Sequence, residues 1–256
     1  MSDAAPTTAT PPAAPLPALP EDGDRVLVVV AHPDDAEYGT AAAVARWTAE
    51  GKQVVYVMAT SGEAGIDTVA PAQAGPLRER EELASAQAVG VDVVEFLRHR
   101  DGRLTEGVDL RRDVARAVRQ HRPDLVVTIN HHDTWGPGTW NTPDHRALGR
   151  TVLDAVADAA NRWIFPELGH EGFVPWDGVR RVVVANSTSP THVVDITDTV
   201  EAGVAALALH VEYFNALDPD VPVRRQAEDV YAQVVRRDEP GWEGRAVLAV
   251  ELALGT

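Results

Sequence analysis

The chain has 256 residues, enough for one α/β domain with a large core. Its 39 acidic against 23 basic side chains give a formal charge of −16, which repels phosphate backbones and anionic lipid, so neither nucleic acid nor membrane is expected as a partner. The absence of cysteine excludes disulfides, thiolate ligands and cysteine nucleophiles, and leaves histidine and carboxylate as the strong metal ligands.

Residues 1 to 22 are rich in Ala, Pro and Thr without periodicity and read as a disordered leader, with 23 to 256 as one domain. The start has neither basic residues nor a hydrophobic signal core, and no apolar run nears the roughly 20 residues of a spanning helix, so a cytoplasmic location is expected. Apolar strands are predicted at 25–31, 53–59, 92–97, 124–129 and 180–185, and amphipathic helices at 39–50, 77–89, 108–121, 145–160 and 198–217. That alternation predicts right-handed βαβ units and hence an α/β, Rossmann-like fold: a mostly parallel sheet flanked by helices in a single domain. Beyond Asp218, Val230 to Val235 and Ala246 to Leu252 read as peripheral strands. The first strand-to-helix turn, Ala31 to Gly39, contains no Gly-x-Gly-x-x-Gly, so backbone cannot approach a pyrophosphate and dinucleotide binding is disfavoured.

That first turn is the most informative stretch. Val28-Val29-Val30 runs into Ala31-His32-Pro33-Asp34-Asp35, placing one imidazole and two carboxylates at a strand's carboxyl end, where an open α/β sheet presents its ligands. His32 and Asp35 are candidate metal ligands, leaving Asp34 to act on the metal's water. A second strand, Leu125 to Ile129, leads through a Gly/Trp-rich loop into Asn141-Thr142-Pro143-Asp144-His145, where His145 opens a helical pattern. Two histidines and one carboxylate leave tetrahedral zinc one position short, as in a catalytic site. Asp144, beside a ligand, reads as support for the ligands. Trp135 and Trp140 in that loop are candidates for stacking against a substrate. Four tryptophans between 135 and 176 suggest a lid, or alternatively core.

These motifs, in this order, resemble the PIG-L/LmbE family of zinc-dependent deacetylases of N-acetylated amino sugars. The family's Ala-His-Pro-Asp-Asp stands at Ala31 to Asp35, and Thr60-Ser61-Gly62-Glu63-Ala64-Gly65 is similar to its Thr-x-Gly-Glu-x-Gly. Arg78, Glu81 and Val89-Gly90-Val91 echo its Arg-x-x-Glu helix and Leu-Gly-Val; Asp101-Gly102, Arg122-Pro123-Asp124, Val194 to Thr197 and His210 complete the set, over about residues 25 to 212. The resemblance implies Zn²⁺ on His32, Asp35 and His145, Asp34 as general base, and Arg78 and Asp101 as contacts for sugar hydroxyls. It implies a small-molecule N-acetylated glycoside as partner, and leaves open whether the chain forms a homo-oligomer.

One departure matters. The family's second cluster is His-Pro-Asp-His, its first histidine taken as the general acid, whereas Thr142 stands there in this chain. Threonine donates no proton near neutral pH, so either another group takes the role or the activity is low. His192 is the first candidate, because it precedes the Val-Asp-Ile-Thr segment that packs beside the site in the family; protonated Asp34, His131 and His132 are the others. The reaction expected is hydrolysis of the N-acetyl amide. Alternatives are amide cleavage in a thiol-sugar conjugate or glycosylated natural product, a metal-bearing carbohydrate binder without catalysis, and Fe(II) oxygen chemistry on the same two-histidine, one-carboxylate set.

Overall fold

The structure, a computed structural model, describes residues 14–255. β1 (Arg25–Val30) is followed by α1 (Asp35–Gly39), α2 (Ala41–Ala49), β2 (Gln53–Thr60), α3 (Pro71–Ala88), β3 (Val93–His99), α4 (Val108–His121) and β4 (Leu125–Ile129). A small hairpin, β5 (Thr134–Gly136) and β6 (Thr139–Trp140), precedes α5 (Pro143–Ala160), α6 (Pro166–His170), β7 (Arg181–Ala185) and β8 (His192–Asp195). The chain closes with α7 (Val200–Leu207), α8 (Val211–Leu217), α9 (Val223–Val234), β9 (Val235–Arg236) and β10 (Val247–Leu254).

The main sheet has the order β3-β2-β1-β4-β7-β10-β8. Its first five strands are parallel, while β10 runs antiparallel to β7, β8 and β9. The fold expected from the sequence, a mostly parallel sheet between helices, is therefore the one found. The unbroken apolar run of β1 has a simple cause: Val26, Val28 and Val30 enter the core on one face of the sheet, and Leu27, Val29 and Ala31 the core on the other. From β1 the chain moves outward through β2 to β3, and from β4 outward to β7. The crevice between those two directions opens where β1 and β4 end.

Several expectations need correction. Within the leader, residues 14–22 are built into the fold: Leu19 is buried, Pro17 and Leu19 hydrogen-bond with Val193 on the sheet edge, and Glu21 accepts from Arg46 and the Trp47 indole. Residues 1–13 of that expected leader lie outside the described residues. Residues 230–234 are the end of α9 and not a strand, because Ala227 and Tyr231 share one buried helical face; only Val235 is in a strand, as the first residue of β9. The 246–252 strand exists but is not peripheral; β10 lies between β7 and β8. The predicted 39–50 helix is divided at Thr40, which leaves helical geometry, and 198–217 is divided at Ala208–His210.

Candidate metal centre

The segments that follow β1, β2, β4 and β7 converge on one cavity of about 830 Å³, whose wall includes His32, Asp34, Asp35, Arg78, Asp101 and His145. That volume is in the range of small-molecule sites. His32 and Asp35 follow β1, and His145 stands in the first turn of α5 after β4, so the two histidines meet across the point where strand order reverses.

Their donor atoms converge. His32 Nδ1 lies 3.2 Å from His145 Nε2, His145 Nε2 lies 3.0 Å from Asp35 Oδ1, and His32 Nδ1 lies 3.4 Å from Asp35 Oδ2. Donors arranged tetrahedrally around a zinc-sized ion at its usual bond lengths stand roughly 3.3 Å from one another. The three side chains therefore fit a divalent ion with an open fourth position. Asp35 Oδ2 is occupied by the backbone N–H groups of Ala31 and His32, at 3.0 and 2.8 Å, which leaves Oδ1 for the ion.

The ligands are held from behind. His145 Nδ1 donates to Asn141 Oδ1 at 3.2 Å, which directs Nε2 to the centre. Asn141 cannot turn over, because its amide nitrogen donates to the carbonyls of Asn130 and His132. On the other side, His32 Nε2 faces Asp101 Oδ1 at 3.1 Å and Asp144 Oδ2 at 3.3 Å. Those two carboxylates could themselves frame an ion with His32. They are already committed, Asp144 to the N–H groups of Gly102 and Leu104 and Asp101 to that of Ala64. Burial pushes the His32 imidazole down, but Asp35, Asp101 and Asp144 outweigh it and hold it well above the usual histidine range; this corner of the cavity favours positive charge.

Asp34 is separate from this set. Its backbone is left-handed, φ 99°, an uncommon conformation for a residue other than glycine. Its N–H donates to Glu82 at 3.0 Å and its Oδ2 accepts from Arg78 Nη2 at 2.8 Å. Burial and the adjacent Asp35 push its carboxyl up, Arg78 opposes them, and the result is about 6. Arg78 also donates to the carbonyls of Pro33 and Gly62 and lies over the Tyr213 ring. The glycines of the Gly-Glu-Ala-Gly segment make room for it: a Cβ on Gly62 would sit 2.8 Å from the guanidinium carbon.

Five expected site residues, His32, Asp34, Asp35, Asp144 and His145, are thus brought together in one cavity. Others are not where expected. Arg78 is 2% exposed and spent on Asp34 and two carbonyls, so it holds the carboxylate and is not free for a sugar. Asp101 lines the cavity but faces His32. Trp135 lines the cavity, its ring edge-on to His145, whereas Trp140 is 66% exposed beneath Arg146 and outside the wall. Trp163 is exposed and Trp176 packs in the core below the opposite sheet face, so the tryptophans form no common lid. His192 is a correction: it sits on β8, its ring beside Thr191, and is absent from the cavity wall. His131 and His132 stack on each other outside the wall, and His132 faces Glu251. Thr142 lines the cavity, but its hydroxyl caps α5 by accepting from His145 N–H.

Asn141, Tyr38, Tyr213 and Arg236 also take part in or line the site and carried no assigned role in the sequence. Asn141 had a signal, since it stands four residues before a ligand that opens a helix. Arg236 had none, because only the docking of α9 and β9 brings it there.

A family model described as PIG-L, GlcNAc-PI de-N-acetylase, matches residues 27–156, from β1 into α5. The chain belongs to the PIG-L family. A diacetylchitobiose deacetylase of Thermococcus kodakarensis is 27% identical over 198 residues, covering 75% of this chain and 71% of that protein. A 1D-myo-inositol 2-acetamido-2-deoxy-alpha-D-glucopyranoside deacetylase of Streptomyces avermitilis is 32% identical over 181 residues, covering 60% of this chain. The match spans 58% of that relative's length, less than two thirds. The solved structure of N,N'-diacetylchitobiose deacetylase from Pyrococcus horikoshii superimposes with a TM-score of 0.80 at 24% identity, over 92% of this chain and 85% of that one, and shows the same fold. The PIG-L match holds the three candidate ligands of the cavity, His32, Asp35 and His145. The cavity wall built from Asn186, Ser187, Gln233 and Arg236 lies beyond it. Among the described residues no helix is long and apolar enough to cross a membrane.

Proposed function

We propose that this chain is a zinc-dependent hydrolase that removes the acetyl group from the nitrogen of an N-acetylated amino sugar or related glycoside. The observation that carries this reading is the three-donor set of His32, Asp35 and His145, standing beside a separate buried carboxylate, Asp34, in one cavity. Relatives named as deacetylases of such glycosides support the substrate class.

Zinc held by His32, Asp35 and His145 would lower the pKa of a bound water and polarise the acetyl carbonyl. Asp34 accepts the water's proton, with Arg78 holding its carboxylate in place. The amine must be protonated as the C–N bond breaks. Of the side chains considered for that step, Asp34 alone lines the cavity, so it returns the proton it took. A carboxyl pushed up to about 6 suits a group that accepts and releases a proton near neutral pH. The products are acetate and a free amine.

Zinc-loaded protein offered a panel of N-acetyl glycosides and thiol-sugar conjugates should release amine and acetate one to one. The use of the Thr142 hydroxyl as a helix cap favours, as a second reading, a binder without catalysis; saturable binding with no amine across the panel would establish it. Oxygen consumption by the iron-loaded protein would move the site to iron chemistry.

Arg78 gives a sharper test. Its charge favours ionised Asp34, so in Arg78→Leu the carboxyl should titrate higher and the acid limb of kcat/KM against pH should move upward. Arg78→Lys should move it less. A rise in KM with an unmoved acid limb would restore the substrate-contact role that the sequence suggested.

A further inference from the structure

Glu37 on α1, Glu82 on α3 and His210 at the start of α8 meet inside the core, and each is fully excluded from solvent. His210 Nε2 lies 3.5 Å from Glu37 Oε2 and 3.8 Å from Glu82 Oε2. Both oxygens of Glu37, Oε1 of Glu82, both ring nitrogens of His210 and the hydroxyl of Tyr56 have no hydrogen-bond partner. So many orphaned polar atoms at one buried point require something between them, since each loses its water on folding and receives nothing in return.

We infer that Glu37, Glu82 and His210 bind a second divalent cation, of the zinc class, inside the core. The donor chemistry supports this: two carboxylates and an imidazole are ligands a zinc-class ion accepts, and binding it would draw them into their deprotonated forms, whose charge one divalent ion cancels. Spacing supports it too. The two separations from His210 are a few tenths of an ångström beyond the roughly 3.3 Å of donors on a tetrahedral zinc, and one donor atom from each of the three side chains lies within 4.8 Å of the others, so the donors close onto an ion by side-chain movement. A proton on one carboxylate would relieve the repulsion, and burial together with Glu37 does hold Glu82 well above the usual carboxylate range. It would still leave most of the orphaned atoms unpaired. The ion would also have a mechanical consequence. Glu82 Oε2 accepts the Asp34 N–H, so a cation on Glu82 would anchor the left-handed turn that presents Asp34 to the cavity.

The test is metal content, independent of any activity. Protein produced in zinc-supplemented medium and dialysed against metal-free buffer is assayed for total first-row divalent metal. Wild type should hold two equivalents per chain. His32→Ala/His145→Ala, which removes the cavity ligands, should hold one, and Glu37→Gln/Glu82→Gln should also hold one. The core equivalent, with no exposed ligand, should survive a brief chelator exposure that empties the cavity site. One equivalent in wild type and none in His32→Ala/His145→Ala would overturn the inference and assign the cluster to buried water and a shared proton. Two equivalents in the glutamine variant would overturn it as well. If that variant fails to fold, the first two measurements decide alone.

Discussion

Asp34→Asn should keep the cavity metal and the fold while lowering kcat on any accepted substrate by about 10²- to 10⁴-fold, the usual worth of a positioned general base or acid. The upper end is expected, because Asp34 is given both proton transfers. The amide can still accept from Arg78, whose guanidinium lies 2.8 Å from Oδ2, so the loop need not collapse. KM should change little, since no contact to substrate is removed. Steady-state rates with parallel metal analysis check this. Loss of metal in Asp34→Asn, with retention in Asp35→Asn, would reverse the roles of the two neighbours.

The second large effect is on the metal. His32→Ala, Asp35→Ala or His145→Ala should each strip the cavity ion, lowering metal content by one equivalent per chain and abolishing turnover, because each removes one of only three protein donors. Asn141→Ala should weaken metal affinity by about 10- to 100-fold without removing the ion, as expected when the partner that fixes a ligating imidazole is lost. Competition with a chelator of known affinity measures both. Full occupancy in any one ligand variant would exclude that residue, and an unchanged affinity in Asn141→Ala would mean that packing against Trp135 alone orients His145.

What the chain could announce by itself was what local spacing encodes. A parallel strand buried on both faces must be apolar at nearly every position, so Val26 to Val30, Leu125 to Ile129 and Val182 to Ala185 were legible as strands. A strand that stops at a histidine and two carboxylates shows its candidate ligands in adjacent letters, and His145 was legible as another because it opens a helix after the next inner strand. Neighbouring positions also separated the proposed roles of Asp34 and Asp35, since consecutive residues in a turn point in different directions. Packing over long distances decided the rest. Arg78 reads as a contact for sugar hydroxyls until the Gly62 turn admits its guanidinium to Asp34, 44 residues away in sequence. His192 reads as a neighbour of the site until β10 enters between β7 and β8 and sets it on the edge side of the sheet. Glu37, Glu82 and His210 belong to three helices and to no common period, so their meeting in the core is invisible before those helices dock. Secondary structure and adjacent ligands are written in short-range periodicity; which partner each charged group takes is settled by docking, because a buried charge accepts whatever counter-group the assembled core brings to it.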